Sequence, residues 1–195
     1  MKGAWLVIAL VGLLAGCVDA GDPPWWLDHD RIVAVRLEPP AIQPGESAMV
    51  DALIAHRGAP TTDDQPVAAT VVSPRALFTA VHYNLDHWQI DCPPVAEQTS
   101  LVVEMRFPAG EVATKTVVLG DTHANPAAPA LAVPDPVPLH QDIALGDAEW
   151  FTSCGTLDAS RTTLRVDEPC DGELVGVVRD LGGGVAWQVV PLHAQ

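Results

Sequence analysis

Along residues 101–107, apolar Leu101, Val103, Met105 and Phe107 alternate with Val102, Glu104 and Arg106. That period of two sets one side of a strand against a core and turns the other outward. Four turn residues, Pro108 to Glu111, then lead into VATKTVVL, and the pattern predicts a β-hairpin with a four-residue loop. RIVAVRLEP from Arg31 and AMVDALIAH from Ala48 also read as strands, the latter with Met49, Asp51 and Leu53 alternating with Val50, Ala52 and Ile54, and the turn-rich PAIQPGES lies between them. A polar loop, RGAPTTDDQP, separates these from VAATVV and from a longer run ending VHYNLDHWQIDC. Residues 31–120 thus hold about seven short runs without a helical period, which predicts a β-sandwich.

Between residues 121 and 138 the pattern breaks. Five prolines at 126, 129, 134, 136 and 138 fix an extended backbone and remove amide donors. The stretch reads as a stiff linker or as the irregular edge of a second domain; as polyproline it would hold two domains apart by about 3.1 Å per residue. Residues 139–195 return to short runs, AEWFTSC, TTLRV, GELVGVVRD and VAWQVVPLH, which predict a second, smaller sandwich. Its glycines Gly182, Gly183 and Gly184 raise the question of a phosphate-binding loop. Such a loop needs a following helix whose N-terminal amides face the anion, and β-branched VAWQVV follows instead. The expectation is a hairpin reversing at the glycines, with Val175, Val177 and Arg179 on one face and Gly176, Val178 and Asp180 on the other.

Composition narrows the class. A hydrophobic share of 48% is enough to build cores. The net charge of −15 repels phosphate backbones and anionic headgroups, which argues against a nucleic-acid partner. No cofactor motif occurs.

The first residues, MKGAWLVIALVGLLAGC, carry Lys2, an apolar run too short to span a bilayer, and then small residues, the order of an export signal. Leu14, Ala15, Gly16 and Cys17 resemble the lipobox of bacterial lipoproteins, in which the cysteine becomes the acylated first residue. That resemblance implies a signal peptide over 1–16, lipidation at Cys17, a lipidated tether over 17–30, and attachment through acyl chains such as palmitate, each buried methylene contributing about 0.8 kcal/mol. Val18 follows the cysteine and Asp19 comes one place later, so the resemblance favours the outer membrane, facing the periplasm or the surface. Trp25 and Trp26 in the tether are expected to pack against the folded domain rather than to rest in the membrane interface.

With Cys17 given to lipid, Cys92, Cys154 and Cys170 remain in an oxidising compartment, and three single pairings are open. Cys154 and Cys170 lie 16 apart; closing that loop would stabilise by about 3 kcal/mol, and this is the expected disulfide. Cys92 is then left buried or free for an intermolecular bond.

Candidate chemistry is sparse. Ser47 in PGESAM lacks the glycine two positions on that a nucleophile elbow requires, since residue 49 is Met. His82, Asp86 and His87 invite a metal, yet positions five apart on one strand point to opposite faces, and HExxH is absent. Asp167, Glu168, Asp171 and Glu173 fall within seven residues at a turn and are the weak candidates for calcium, although no DxDxDG loop is present. Trp88, Trp150 and Trp187 are expected in the cores between sheets rather than as a sugar-stacking face.

The segments RIVAVRLEPPAIQPGESAMVDALI, HWQIDCPP, WFTSCGTLDASRT and GVVRDLGGGVAWQVV resemble bacterial lipoproteins built from immunoglobulin-like or PKD-like β-sandwich modules. The resemblance implies an all-β chain with two small immunoglobulin-like sandwiches, anchored in the cell envelope, and it carries over no catalytic residues. The expected function is non-catalytic binding or structural support, engaging a protein or glycan partner. A calcium-dependent adhesion module and an envelope hydrolase are the alternatives.

Overall fold

The computed structural model describes residues 23–43, 45–73, 81–84, 87–91, 100–108 and 110–195. These form an all-β protein of stacked sheets. The first half contributes β1 (Arg31–Glu38), β2 (Ala41–Ile42), β3 (Ser47–His56), β4 (Ala59–Asp64), β5 (Ala68–Ser73), β6 (Val81–Asn84), β7 (His87–Asp91), β8 (Ser100–Arg106) and β9 (Val112–Leu119). The second half contributes β10 (Asp142–Ala144), β11 (Glu149–Thr152), β12 (Thr156–Leu157), β13 (Thr163–Arg165), β14 (Cys170–Arg179) and β15 (Val185–Ala194).

In the first half, one sheet runs β1-β3-β7-β6 with β4 also on β3, and the facing sheet runs β2-β9-β8-β5. The β8/β9 hairpin forms as the alternation requires, with Leu101 opposite Val117 and Arg106 opposite Val112. Leu101, Val103, Met105 and Phe107 are all buried. Two short strands depart from the sequence expectation. The turn-rich stretch contains β2, which pairs in parallel with β9 at Ala41 and Ile42; both side chains are buried. The polar loop after β3 is instead the strand β4, paired with Leu53 and Ile54. Its side chains are mostly exposed, and an edge strand needs only backbone partners, so no apolar period marks it. The longer run through 81–91 divides into the antiparallel pair β6/β7.

The second half packs sheet β11-β14-β15 against sheet β10-β13-β12. β14 and β15 form the expected hairpin, in register from Arg179 opposite Val185 to Cys170 opposite Ala194. Gly183 has φ +89° and donates to Asp180 O at 3.3 Å, a left-handed turn position that glycine occupies at no steric cost. The disulfide joins Cys154 to Cys170, with Cα atoms 5.9 Å apart.

Three apolar cores lie in series. The first, between the two sheets of the first half, holds Leu37, Ile42, Val50, Ile54, Leu101 and Val117. The third, between the two sheets of the second half, holds Trp150, Leu157, Leu164, Leu174 and Leu192. The middle core joins the halves: Leu27, Val33, Ala34, Leu53 and Ala55 pack with Phe151, Val175, Val177 and Val185. Sheets β1-β3 and β11-β14-β15 are therefore buried on both faces at their centres. Apolar burial of this kind favours one fixed arrangement of the two sandwiches.

The proline-rich segment does not hold the halves apart. Asn125 donates to Leu37 O at 2.7 Å and accepts from Val185 N at 2.8 Å, bridging the two. Further on, Leu131 and Val133 pack on the third core, and Val137 makes a parallel bridge to Ala194. The glycine hairpin turn also docks on the first half: Lys115 Nζ donates to Gly183 O at 2.9 Å, and burial there pushes the Lys115 ammonium down from its ordinary pKa.

Candidate functional site

The stacking leaves a cleft of about 550 Å³ at the seam between the halves. One wall is the β3/β4 turn, with His56, Gly58, Ala59, Pro60 and Thr61; the other is the outer end of the β14/β15 hairpin, with Asp171, Gly172, Glu173, Pro191 and His193. Leu27, Asp28 and Ser153 complete the lining.

Each wall is held by specific bonds. Asp28 and Asp30, just before β1, cap the β3/β4 turn, accepting from Gly58 N at 2.9 Å and Arg57 N at 3.0 Å. The two bonds tie the approach to β1 onto the turn, an Asp carboxylate accepting from backbone amides as it does in local turns. Across the cleft, Glu173 Oε2 accepts from Thr61 N at 2.8 Å and from Thr61 Oγ1 at 2.9 Å. This bond clasps one sandwich to the other and caps an outward amide of edge strand β4. Ser153 Oγ accepts from Glu173 N at 2.9 Å, which orients the clasp. At the outer rim His193 Nδ1 lies 2.8 Å from Asp171 Oδ1, and the hydrogen bond to that carboxylate raises the imidazole pKa above its ordinary value.

The segment leading into β1 is part of this construction. Trp26 bridges Thr152 in parallel, with Leu27 N donating to Thr152 O and Thr152 N donating to Trp25 O, both at 3.0 Å. Trp25 packs on the middle and third cores, as its expected domain contact requires. From Trp25 onward the expected tether is thus built into the body.

A second polar constellation sits beside the seam. Arg36 makes a two-pronged pair with Asp51, at 3.1 and 2.5 Å, and its guanidinium lies 4.2 Å from the Trp187 ring centroid. Trp187 Nε1 donates to Asp63 Oδ1 at 3.0 Å. Partial burial, the larger influence, raises the Asp63 pKa against the lowering effect of that bond. The expectation that Trp187 fills a core is corrected: it is half-buried at the margin of the middle core, because its polar edge requires a partner and finds one at the surface. Trp150 is fully buried. Its indole donates to Gly146 O at 2.8 Å, so the two rings belong to different layers and make no common sugar platform.

Three of the four calcium candidates are drawn to separate partners. Asp167 pairs with His140 at 3.1 Å and Arg165 at 2.8 Å, and these bonds, His140 first, lower its pKa. Glu168 is exposed, Asp171 pairs with His193, and Glu173 turns to Thr61. Among the described residues no three His, Cys, Asp or Glu side chains group as a metal set. Asp171 and Glu173 belong to β14, where they turn to His193 and to Thr61, while Asp167 and Glu168 precede the strand.

Other expected positions fall as follows. Ser47 opens β3, opposite Asp91, and does not line the cleft. His82 and His87 lie on the two strands of the β6/β7 pair, His82 opposite Gln89 and His87 opposite Asn84, so the single-strand geometry expected for them does not apply. Trp88 lies on β7 opposite Tyr83. Cys17, Asp86 and Cys92 lie outside the described residues. The cleft itself is not legible in the sequence, since its lining comes from five separate stretches of chain. A local sign of its polar wall is the Asp-rich approach to β1, where Asp28 and Asp30 stand two apart.

Fold and site together define an all-β, multi-sheet protein with a seam cleft between two fused sandwiches. No known family profile matches the sequence, and no curated protein matches it. Among solved structures, similarity is found to the Bacteroides ovatus mixed-linkage glucan utilization locus protein SGBP-B in complex with a mixed-linkage heptasaccharide. The identity is 12% and the TM-score 0.20, over 90% of this chain and 47% of that one.

Proposed function

We propose that the protein is a lipid-anchored lipoprotein of the cell envelope that acts as a non-catalytic binding module, taking a partner into the cleft between its two sandwiches. The carrying observation is that cleft: about 550 Å³, walled by both halves, whose relative position is fixed by the middle apolar core. Concave sites at domain interfaces are where proteins concentrate binding, and a rigid seam presents its polar groups without an ordering cost. The sandwich architecture alone carries no role; the cleft supplies it.

Anchoring follows from Cys17. Five residues lie between it and Pro23, and an extended chain covers at most about 3.3–3.6 Å per residue step, so the body would sit within about 20 Å of its lipid attachment. The site therefore serves partners close to the outer membrane, a protein or a glycan.

Two measurements test this reading. Metabolic labelling with a palmitate analogue, read by mass spectrometry of the N-terminal peptide, is expected to find acyl chains on Cys17 and none in Cys17→Ser; an unmodified thiol in the wild type would remove the anchor. Capture from envelope extracts with the lipidated protein is expected to retain a partner that Ala59→Trp, which fills the cleft from an exposed position, fails to retain. Equal capture by both would move binding away from the seam.

A further inference from the structure

The cleft combines two kinds of surface that point to one ligand chemistry. Its walls are aliphatic at Leu27, Ala59, Pro60 and Pro191, and its polar groups include the three carboxylates of Asp28, Asp171 and Glu173. No lysine or arginine is among the lining residues; the imidazoles of His56 and His193 are the basic groups there, with the exposed Arg57 beside the turn. Asp28 and Glu173 each commit one oxygen to their clasps, Oδ1 to Gly58 N and Oε2 to Thr61, and His193 engages one oxygen of Asp171. The Glu173 bonds cross the opening, the Asp28 bond holds the β3/β4 turn, and His193 stands beside Asp171 on the same wall; each leaves a second acceptor oxygen on its carboxylate.

We propose that the cleft binds an alkylammonium or alkylguanidinium group, the aliphatic stem lying along Leu27, Pro60 and Pro191 and the cationic head between Asp171 and Glu173. This deepens the reading of the seam as a binding site and rests on it. Long basic side chains bury their methylenes against apolar surface while keeping the charge on polar partners. A charge-assisted bond from such a head to a carboxylate is shorter and stronger than a neutral one. The net charge of −15 steers cations toward the protein, and three carboxylates stand in the lining against two imidazoles. The same chemistry occurs in a free diamine and in a lysine or arginine of a partner protein.

The experiment uses the full-length lipidated protein in neutral detergent, with backbone amides followed by NMR. Cadaverine probes the free amine, an acetylated and amidated Ala-Lys-Ala peptide probes the side chain, and the Ala-Gln-Ala analogue and a neutral oligosaccharide are the uncharged arms. Cadaverine or the lysine peptide is expected to shift the amides of Thr61, Gly172 and Glu173 saturably. Binding should weaken about tenfold or more in Asp171→Asn combined with Glu173→Gln, and stay unchanged in Asp167→Asn, which alters charge outside the cleft. Tighter binding of the peptide than of cadaverine identifies a protein source, and the reverse a small amine. Both asparagine and glutamine keep an acceptor for the local bonds; should the double variant misfold, Ala59→Trp blocks the cleft with the charges intact and is expected to abolish the shifts. Still amides in both charged arms, or an equal loss in Asp167→Asn, would overturn the proposal. Shifts from the oligosaccharide alone would overturn the cation while keeping the seam as a binding site, whereas capture indifferent to Ala59→Trp would remove the seam itself.

Discussion

Replacing Phe151 by alanine tests whether the two sandwiches are one cooperative body. Phe151 is 2% exposed and sits on β11, opposite Val175 of β14. It packs with Leu27, Val33, Ala34, Leu53 and Ala55 from the first half. The Arg31 guanidinium lies 5.1 Å from its ring centroid and that of Arg161 lies 6.0 Å away, so truncation removes both apolar contact and a cationic lid. A buried Phe→Ala change costs about 3–5 kcal/mol, and for a chain of this size each kcal/mol moves the melting temperature by about 2–4 °C. The expected loss is therefore about 6–20 °C. The discriminating feature is where the loss is felt. If the middle core couples the halves, thermal unfolding is a single transition, and hydrogen exchange accelerates in Phe151→Ala both at Leu101, Val103 and Met105 of β8 and at Leu174 of β14. Two separate transitions, with exchange altered only in β14, would refute the coupling and return the molecule to two independent domains.

Other outcomes follow from single features. Removing the disulfide with Cys154→Ala and Cys170→Ala opens a loop of sequence separation 16 and should cost about 3 kcal/mol; urea midpoints unchanged from the oxidised wild type would contradict it. In Gly176→Ala the new Cβ meets Trp150 Cζ3 at 2.5 Å and Pro129 Cγ at 2.8 Å, and since Trp150 is pinned through its indole, overpacking should cost about 1–3 kcal/mol, checked by the same denaturation. The folded-state pKa of His193 is raised by Asp171, so its stabilisation is complete below the ordinary value of 6.5 and is lost as pH rises through the folded value. The stability gap between wild type and His193→Gln should accordingly narrow from pH 5.5 to 8, and a gap that widens would reverse the assigned sign.

Much of the local architecture is legible in the chain. Alternation at 101–107 places four side chains in a core, and the glycines at 182–184 mark a hairpin because no helix follows them. Sequence spacing also favours the disulfide that forms. What escapes is strand formation without an apolar signature: β4 is polar because it lies at an edge, and β2 is only two residues long. A signal for the seam was present in the continuous apolar runs IVAV at 32–35, ALIA at 52–55 and LVGVV at 174–178. Runs of that kind mark strands covered on both faces, whereas alternation marks strands covered on one.

The sequence by itself therefore determines the class of the protein: all-β, acidic, cystine-bearing, with strands and turns set by side-chain period and glycine chemistry, which act between near neighbours. The tertiary structure decides that the sandwiches are fused, that the proline-rich stretch lies along the second sandwich, and that Asp28, Thr61, Asp171 and Glu173 meet at one cleft. Burial of the second face of a sheet depends on which distant surface is complementary to it. That choice is made by the sum of many weak apolar contacts across the whole chain, and no short window of residues contains it.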